Sequence, residues 1–193
     1  PVTDPAGAGT ALDIVGDAAN PAAYVASDAT HLYLRLRLNG NPADGSYFLE
    51  NAAWGCLIDT DADFTAYEFY AGVDGTKQGP PSSDAVRYRW NSTVGAATTA
   101  DPAETPIWAG PVTGNAVQSV AGSNFSGHAD YFVDFAIPWA SIRTPGSGAP
   151  NVPAGTPLRF VCGTRSGGGV ADGINADVAS GSETAPPLTL AAL

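Results

Sequence analysis

Three carboxylates in one short segment are the side chains of this sequence best suited to chemistry. Asp59, Asp61 and Asp63 occupy alternate positions, with an apolar run before them and a second one after them. Like charges at this spacing repel one another unless water or a cation screens them. Oxygen ligands at i, i+2 and i+4 on a tight turn suit a hard divalent ion such as calcium. The segment therefore predicts a structural calcium site in a turn between two strands.

The residues after Asp63 in the chain exclude one type of calcium site. An EF-hand would require glycine at Phe64 and a bidentate glutamate at Tyr70, so that motif is excluded. Glu68, on the next apolar run, can reach back as an additional ligand. A solvated acidic turn without an ion is the alternative, because aspartate is a common turn residue.

Aromatic and cationic side chains suggest a second site. Saccharide sites on β-proteins stack aromatic rings on pyranose faces and bind the hydroxyls with polar side chains. Trp54 and Trp139 lie in segments that we expect to form the core. The predicted sugar-binding set therefore consists of the other two tryptophans and the two arginines that precede one of them: Trp90, Trp108, Arg87 and Arg89. The alternative is that both of these tryptophans pack beneath a long loop.

Two cysteines lie inside apolar, strand-like segments. If these strands are neighbours, Cys56 and Cys162 can form a disulfide that closes a loop of about a hundred residues, worth up to ~4–5 kcal/mol in the chain-entropy model. Free buried cysteines are the alternative. The absence of methionine and the single lysine are typical of an extracellular protein. The Ala/Gly/Pro-rich composition predicts a bacterial origin, and hence a secreted or cell-surface bacterial protein.

Composition and motifs exclude several function classes. The formal net charge of -11 argues against a nucleic-acid partner, since phosphate binding requires a basic surface. No apolar run approaches the ~20 residues of a membrane-spanning helix, so membrane insertion is not expected. No leader pattern follows Pro1, which predicts a mature or trimmed chain. Hydrolase, metalloprotease, phosphate-loop and Cys-x-x-Cys signatures are missing, which predicts a protein that is not an enzyme.

The periodicity of the chain is almost entirely that of β-strands. In residues 31–38 four leucines alternate with histidine, tyrosine and two arginines, as in a strand with one buried face. The predicted strands are 24–27, 31–38, 53–59, 66–73, 85–90, 115–120, 130–137 and 157–164, with 188–190 as a further candidate. Residues 91–114 are predicted to form a long surface loop and residues 139–142 a helical turn. This pattern predicts one sandwich or barrel domain over residues 1–193, with linker-like ends at 1–11 and 179–193.

A family resemblance runs through several of these landmarks. The segment Phe132–Ile142 (FVDFAIPWASI) resembles the late strand and "IPW" turn of family-9 carbohydrate-binding modules and their DOMON-like relatives. Other landmarks of that family occur in a similar order along this chain: the early strand at 31–38, the acidic turn and the strand at 157–164. The similarity therefore spans roughly residues 10–178. The resemblance implies an antiparallel β-sandwich of jelly-roll or immunoglobulin-like type, often with structural calcium, that in some relatives binds sugars through aromatic rings.

Some DOMON-like relatives bind haem, and composition tests this possibility. The methionine and histidine ligands typical of those cytochromes cannot both be supplied, because the chain has no methionine. A bis-histidine site would require His31 and His128, which both read as surface residues, so no haem is expected.

Two functions from different classes therefore stand as predictions. The first is a non-catalytic, calcium-stabilised module that binds a polysaccharide or cell-surface glycan. The second is a structural or adhesive subunit of a bacterial surface layer, appendage or filament, which binds copies of itself or a larger surface protein through a sheet edge.

Overall fold

Ten strands and one short helix make up the regular structure in the part of the chain that the structure describes. The computed structural model describes residues 2–7, 9–43, 49–62, 67–75, 85–90, 105–146, 148–166, 174, 176–179 and 188–190. The elements are β1 (Ala23–Ser27), β2 (His31–Leu38), β3 (Ala52–Asp59), β4 (Phe69–Asp74), β5 (Ala85–Trp90), β6 (Thr105–Pro111), β7 (Ala116–Phe125), β8 (His128–Pro138), α1 (Trp139–Arg143), β9 (Leu158–Ser166) and β10 (Leu188–Leu190).

The strands form two antiparallel sheets with a common core. The four-stranded sheet has the order β1-β2-β8-β7, and the six-stranded sheet has the order β10-β9-β3-β4-β5-β6. Every pairing between named strands is antiparallel. The predicted all-β, antiparallel sandwich is therefore confirmed, whereas its jelly-roll or immunoglobulin-like type stays a prediction. In the described part of the chain no helix has the length and apolar character needed to cross a membrane.

Alternation of side chains assigns the faces of both sheets. The leucines at even positions of β2 are buried, as are Val133, Phe135 and Ile137 of β8, which pairs with it. The inner face of the six-stranded sheet contributes Trp54 and Phe69 to the same core. Because β2 and β8 bury alternate residues, the outer face of the four-stranded sheet is left for polar and aromatic side chains.

The six-stranded sheet, in contrast, is covered on both faces around β3 and β4. All residues of these two strands are buried. A second apolar cluster lies on the outer face and contains Leu57, Tyr67, Tyr70, Val161 and Ile174. Burial on both faces explains why these strands are continuous apolar runs instead of alternating ones.

The edge strand β6 corrects one prediction. Residues 105–111 fall within the segment 91–114 that we expected to be a surface loop, yet they pair with β5. Pro106 and Pro111 lie near the ends of this edge strand, where a missing backbone donor is tolerated. The helical turn predicted after Pro138 is confirmed by α1. The other predicted strands agree with the structure to within a few residues, although β7 continues to Phe125.

A disulfide joins the two strands at the centre of the larger sheet. Cys56 and Cys162 are directly opposed between β3 and β9, with an S–S distance of 2.06 Å. The predicted bridge is therefore confirmed. At the N-terminal end, which we expected to be linker-like, Asp4 forms a bridge with Gly16 and Ala11 is buried in the core.

Candidate functional site

The outer face of the four-stranded sheet carries a groove of about 610 Å³. Strand register places Tyr24, Arg35 and Asp134 in one row across β1, β2 and β8. The neighbouring row contains Ala26, Tyr33 and Ala136, so small side chains lie on both sides of the second tyrosine. The groove is also lined by the segment from 114 to 117 at the start of β7.

Two tyrosine rings stand exposed in this groove. Tyr24 is 36% exposed and Tyr33 is 39% exposed, values that are high for such large rings. They are diagonal neighbours on adjacent antiparallel strands, a relation that spans roughly 7–8 Å, with the Cβ atoms somewhat closer. An exposed aromatic ring on a rigid strand offers an apolar face to a ligand together with a polar hydroxyl.

Hydrogen bonds hold both rings in place. The Tyr33 hydroxyl donates to Asp28 Oδ2 at 2.7 Å, and Arg37 Nη2 donates to the Tyr24 hydroxyl at 3.1 Å. Asp28 is itself held by the backbone N–H groups of Thr30 and His31, so its carboxylate is anchored to the β1–β2 turn. Rings held before binding lose less conformational entropy when a ligand stacks on them.

Arg35 and Asp134 form a two-point ion pair in the groove. Arg35 Nε lies 2.5 Å from Asp134 Oδ1, and Nη2 lies 3.0 Å from Oδ2. The guanidinium also lies 4.3 Å from the centroid of the Phe132 ring. Both side chains are partly exposed, at 43% and 28%, so a ligand in the groove can reach them.

Arg37 lies on the same outer face of β2. The alternation at 31–38 predicted that it would be exposed to solvent, but it is buried. It is only 3% exposed and lies 4.6 Å from the Phe132 centroid, on the ring that also contacts Arg35. It donates to the Pro21 carbonyl at 3.2 Å and to the Ser123 hydroxyl. Arg37 therefore supports the groove from the side, through the Tyr24 hydroxyl and the Phe132 ring.

The predicted calcium turn brings three carboxylates together at the end of β3. Asp59, Asp61 and Glu68 each offer one oxygen within 4.8 Å of the others. Asp63 lies outside the described residues. The cluster thus contains two of the three aspartates predicted from their spacing and the glutamate that we expected to reach back from the next strand.

Two of the three carboxylates each use one oxygen to shape the backbone of the turn. Asp59 Oδ1 accepts from the N–H groups of Asp61 and Ala62, at 2.9 and 2.8 Å. Glu68 Oε2 accepts from the Thr60 N–H and hydroxyl, at 2.7 and 3.0 Å. The positive φ of Ala62, 77°, lets the chain curl around Asp59.

What the cluster can bind depends on the second oxygen of Asp59 and on the pKa of Glu68. Asp59 is fully buried and its Oδ2 makes no hydrogen bond in the described part of the chain. Its nearest ion-pair partner there is Arg159 Nη1 at 3.5 Å, which offsets part of the negative charge. Burial raises the pKa of Glu68, and the charges of Asp61 and Asp59 raise it further against the opposing Thr60 hydrogen bonds. A dense set of oxygen ligands with an unsatisfied buried atom fits a hard cation.

The predicted sugar-binding residues lie on opposite faces of the six-stranded sheet. Trp90 and Trp108 are partly buried and pack against the core, and Trp108 is paired with Tyr88. Arg87 and Arg89 point to the other face by strand alternation. Arg87 Nε lies 2.7 Å from Asp74 Oδ2, and Arg89 is 4% exposed. The two pairs are therefore not brought together, and a sugar-binding role for them stays a prediction.

Sequence reasoning missed the tyrosines and the ion pair of the groove. The available signal was the polar set that alternates with the leucines of β2, which includes Tyr33 and Arg35. The contributions of β1 and β8 depend on register, and no local pattern shows that Asp134 lies opposite Arg35.

The comparisons with known proteins were negative. No family model, no curated protein and no solved structure matches this chain.

Proposed function

We propose that this chain is a non-catalytic carbohydrate-binding module whose binding site is the groove of the four-stranded sheet. The observation that carries the proposal is the pair of exposed, hydrogen-bonded tyrosine rings beside the Arg35–Asp134 pair. Sugar rings present C–H faces that stack on aromatic rings and hydroxyls that bind polar side chains. A groove with both features at adjacent positions suits a saccharide better than a wholly apolar ligand.

The tyrosine groove is a better supported site than the tryptophan pair. Trp90 and Trp108 already pack against the core, so stacking on a sugar would require surface that the fold uses elsewhere. Tyr24 and Tyr33 keep more than a third of their surface exposed. We therefore assign the stacking role to the tyrosines and keep Trp108 as a comparison variant.

A calcium ion in the acidic turn is a second part of the proposal. The ion would bind one oxygen each of Asp59, Asp61 and Glu68 and relieve the repulsion among them. The turn joins β3 to β4 on the six-stranded sheet, whereas the groove belongs to the other sheet, so the role assigned to calcium is structural.

An extracellular location and the resemblance to family-9 carbohydrate-binding modules accord with this function. The Cys56–Cys162 disulfide is of a kind that persists in oxidising compartments, which supports secretion or display on a bacterial surface. The DOMON-like landmarks of the sequence favour the same group of sugar-binding sandwiches.

The alternative function is a self-associating surface subunit, and one observation favours it. Strand β7 is a ten-residue edge strand on which Val117 and Val120 are 58% and 65% exposed. An edge strand with exposed apolar residues can pair with a second chain. However, the register shift between Val120 and Asn124 interrupts the strand, which makes continuous pairing less favourable.

A polysaccharide-binding assay tests the proposed function. We expect the wild-type chain to be retarded in gels that contain at least one of hydroxyethyl cellulose, xylan or galactomannan. Tyr33→Ala should weaken binding roughly tenfold, because it removes one of the two rings on which the sugar stacks and the apolar surface that the sugar would cover. Tyr33→Phe should have a smaller effect, since the ring remains and only the bond to Asp28 is lost.

Two further variants make the result specific. Val120→Ala, an exposed residue outside the groove, should bind as the wild type does. Loss of binding in Trp108→Ala but not in Tyr33→Ala would move the site to the tryptophans. A chain that binds no glycan in these gels or on a broad array, and that elutes as an oligomer, would overturn the proposal in favour of self-association.

A further inference from the structure

The two charged side chains that line the groove, Arg35 and Asp134, are hydrogen-bonded to each other, so their charges cancel. Both carboxylate oxygens of Asp134 are bound by Arg35, one to Nε and one to Nη2. This planar two-point arrangement is the strongest form of an arginine–carboxylate pair. An incoming anion could bind Arg35 at full strength only by displacing a partner that is fixed to the adjacent strand.

Two further charged groups, one of each sign, hold the tyrosines of the groove. Asp28 is bound to the Tyr33 hydroxyl at one end, and Arg37 is buried against Phe132 and the Tyr24 hydroxyl at the other. These two arginines and two aspartates sum to zero, and the carboxylate of Asp17, which interacts with Arg37, adds a negative charge outside the groove. The chain as a whole has a net charge of -11, so the long-range field repels anions from the groove.

We infer that the groove selects uncharged sugars and that Asp134 is the residue that sets this specificity. The inference rests on the proposed function and deepens it. A neutral hydroxyl can donate to Asp134 and accept from the N–H groups of Arg35 that do not face Asp134, without breaking the pair. A uronate or sulfate meets an arginine whose charge is already compensated. Specificity therefore arises from the absence of an uncompensated cation as much as from attraction to the sugar.

The arrangement predicts a gain of function from one isosteric substitution. Asp134→Asn keeps the size of the side chain and removes its charge, which leaves Arg35 cationic in an exposed groove. We expect the variant to bind polygalacturonate or polyglucuronate at least about tenfold more tightly than the wild type does. This new binding should weaken with added salt, since the contact is a partly exposed charge pair.

Controls separate the effect of charge from a general change in the groove. The double variant Arg35→Gln/Asp134→Asn has the same neutral sum as the wild type, so binding to the acidic polymers should be lost again. Neutral polymers that bind the wild type should bind Asp134→Asn with a change of only a few fold.

The outcomes distinguish this inference from the function on which it rests. If the wild type binds neutral and uronate polymers equally well, or if Asp134→Asn gains nothing, the specificity inference fails and carbohydrate binding stands. If neither class of polymer binds the wild type, the proposed function fails and the inference with it. If Asp134→Asn does not fold, the wild type still provides the test: its binding to neutral polymers should not change with salt, and uronate binding at low salt would overturn the inference.

Discussion

Carboxylates in this chain act in three ways that depend on the atoms next to them. Asp28 accepts hydrogen bonds from the Tyr33 hydroxyl and from Thr30 and His31, and these bonds hold its pKa well below the ordinary value. Asp134 compensates a guanidinium in the groove. Glu68 has its pKa raised, chiefly by burial and further by the neighbouring aspartates. The same functional group thus orients a ring, sets a local charge and forms a candidate ion site.

The raised pKa of Glu68 leads to a prediction about pH and calcium. A carboxyl group whose pKa is raised in the folded state costs no stability at a pH where it is protonated in both the folded and the unfolded chain. It becomes destabilising as pH rises above its ordinary value of 4.5, because the unfolded chain then loses its proton first. In EDTA at neutral pH, Glu68→Gln should therefore melt at a higher temperature than the wild type, and the difference should shrink towards acid pH.

In calcium the wild type should have the higher melting temperature and Glu68→Gln the lower one. An ion bound only to the folded chain adds about 2.7 kcal/mol at roughly a hundredfold above its Kd. The wild type should gain this stability and Glu68→Gln should gain less, as measured by thermal melting with sodium at equal ionic strength as the control. Identical wild-type melting temperatures in calcium and EDTA would eliminate the calcium site.

Strands in this protein differ in whether one or both faces are buried, and glycine makes the difference possible. Gly55, Gly72 and Gly163 lie in one row across β4, β3 and β9. Tyr70 lies over the first two and Ile174 over the third, in space that side chains would otherwise fill. This row lets the outer face of the six-stranded sheet be covered, whereas the four-stranded sheet keeps Tyr24 and Tyr33 exposed.

Filling this row should destabilise the fold. In Gly55→Ala the added Cβ would lie 2.5 Å from the Tyr70 hydroxyl and 2.7 Å from the Ala71 carbonyl oxygen. Because the second contact is with backbone, we expect a loss of about 1–3 kcal/mol in the free energy of unfolding, measured by urea denaturation. Gly146→Ala has nothing within 4 Å of the added atom and should change stability by less than about 0.5 kcal/mol. Equal stabilities of the two variants would contradict the packing assigned to Tyr70.

The whole molecule is held together by pairings between distant parts of the chain. Strand β2 pairs with β8, and β3 pairs with β9, so neither sheet is assembled from consecutive hairpins alone. The disulfide spans a sequence separation of 106 residues at the centre of the larger sheet. A cross-link over this separation removes much of the conformational freedom of the unfolded chain.

Loss of the disulfide should therefore have a large effect on global stability. The chain-entropy model predicts that the reduced protein unfolds with a free energy about 4–5 kcal/mol lower than the oxidised one. Urea denaturation of oxidised and reduced wild type makes this comparison without changing a side chain, and Cys56→Ala/Cys162→Ala is the variant that cannot reoxidise. Coincident unfolding curves for the oxidised and reduced protein would show that the bridge does not limit the unfolded chain.

Several features were determined by the sequence alone because they depend on neighbouring residues. The alternation at 31–38 predicts β2 and its buried leucines, and Pro138 begins the short helix as expected. The carboxylates at Asp59 and Asp61 were predicted to meet because their spacing along one turn brings them close. The apolar runs around Cys56 and Cys162 indicated two strands, but left the bridge as one of two possibilities.

Other features were decided only by the tertiary structure, since they depend on which strands pair and in which register. Residues 105–111 became a strand because β5 offered an edge, although their prolines indicated a loop. The row of Tyr24, Arg35 and Asp134 exists because β1 and β8 pair with opposite sides of β2. Register also places Trp108 opposite Tyr88, on the core side of the larger sheet and away from the face of Arg87 and Arg89. Local spacing decides which residues share a strand face, but only long-range pairing decides which faces form a site.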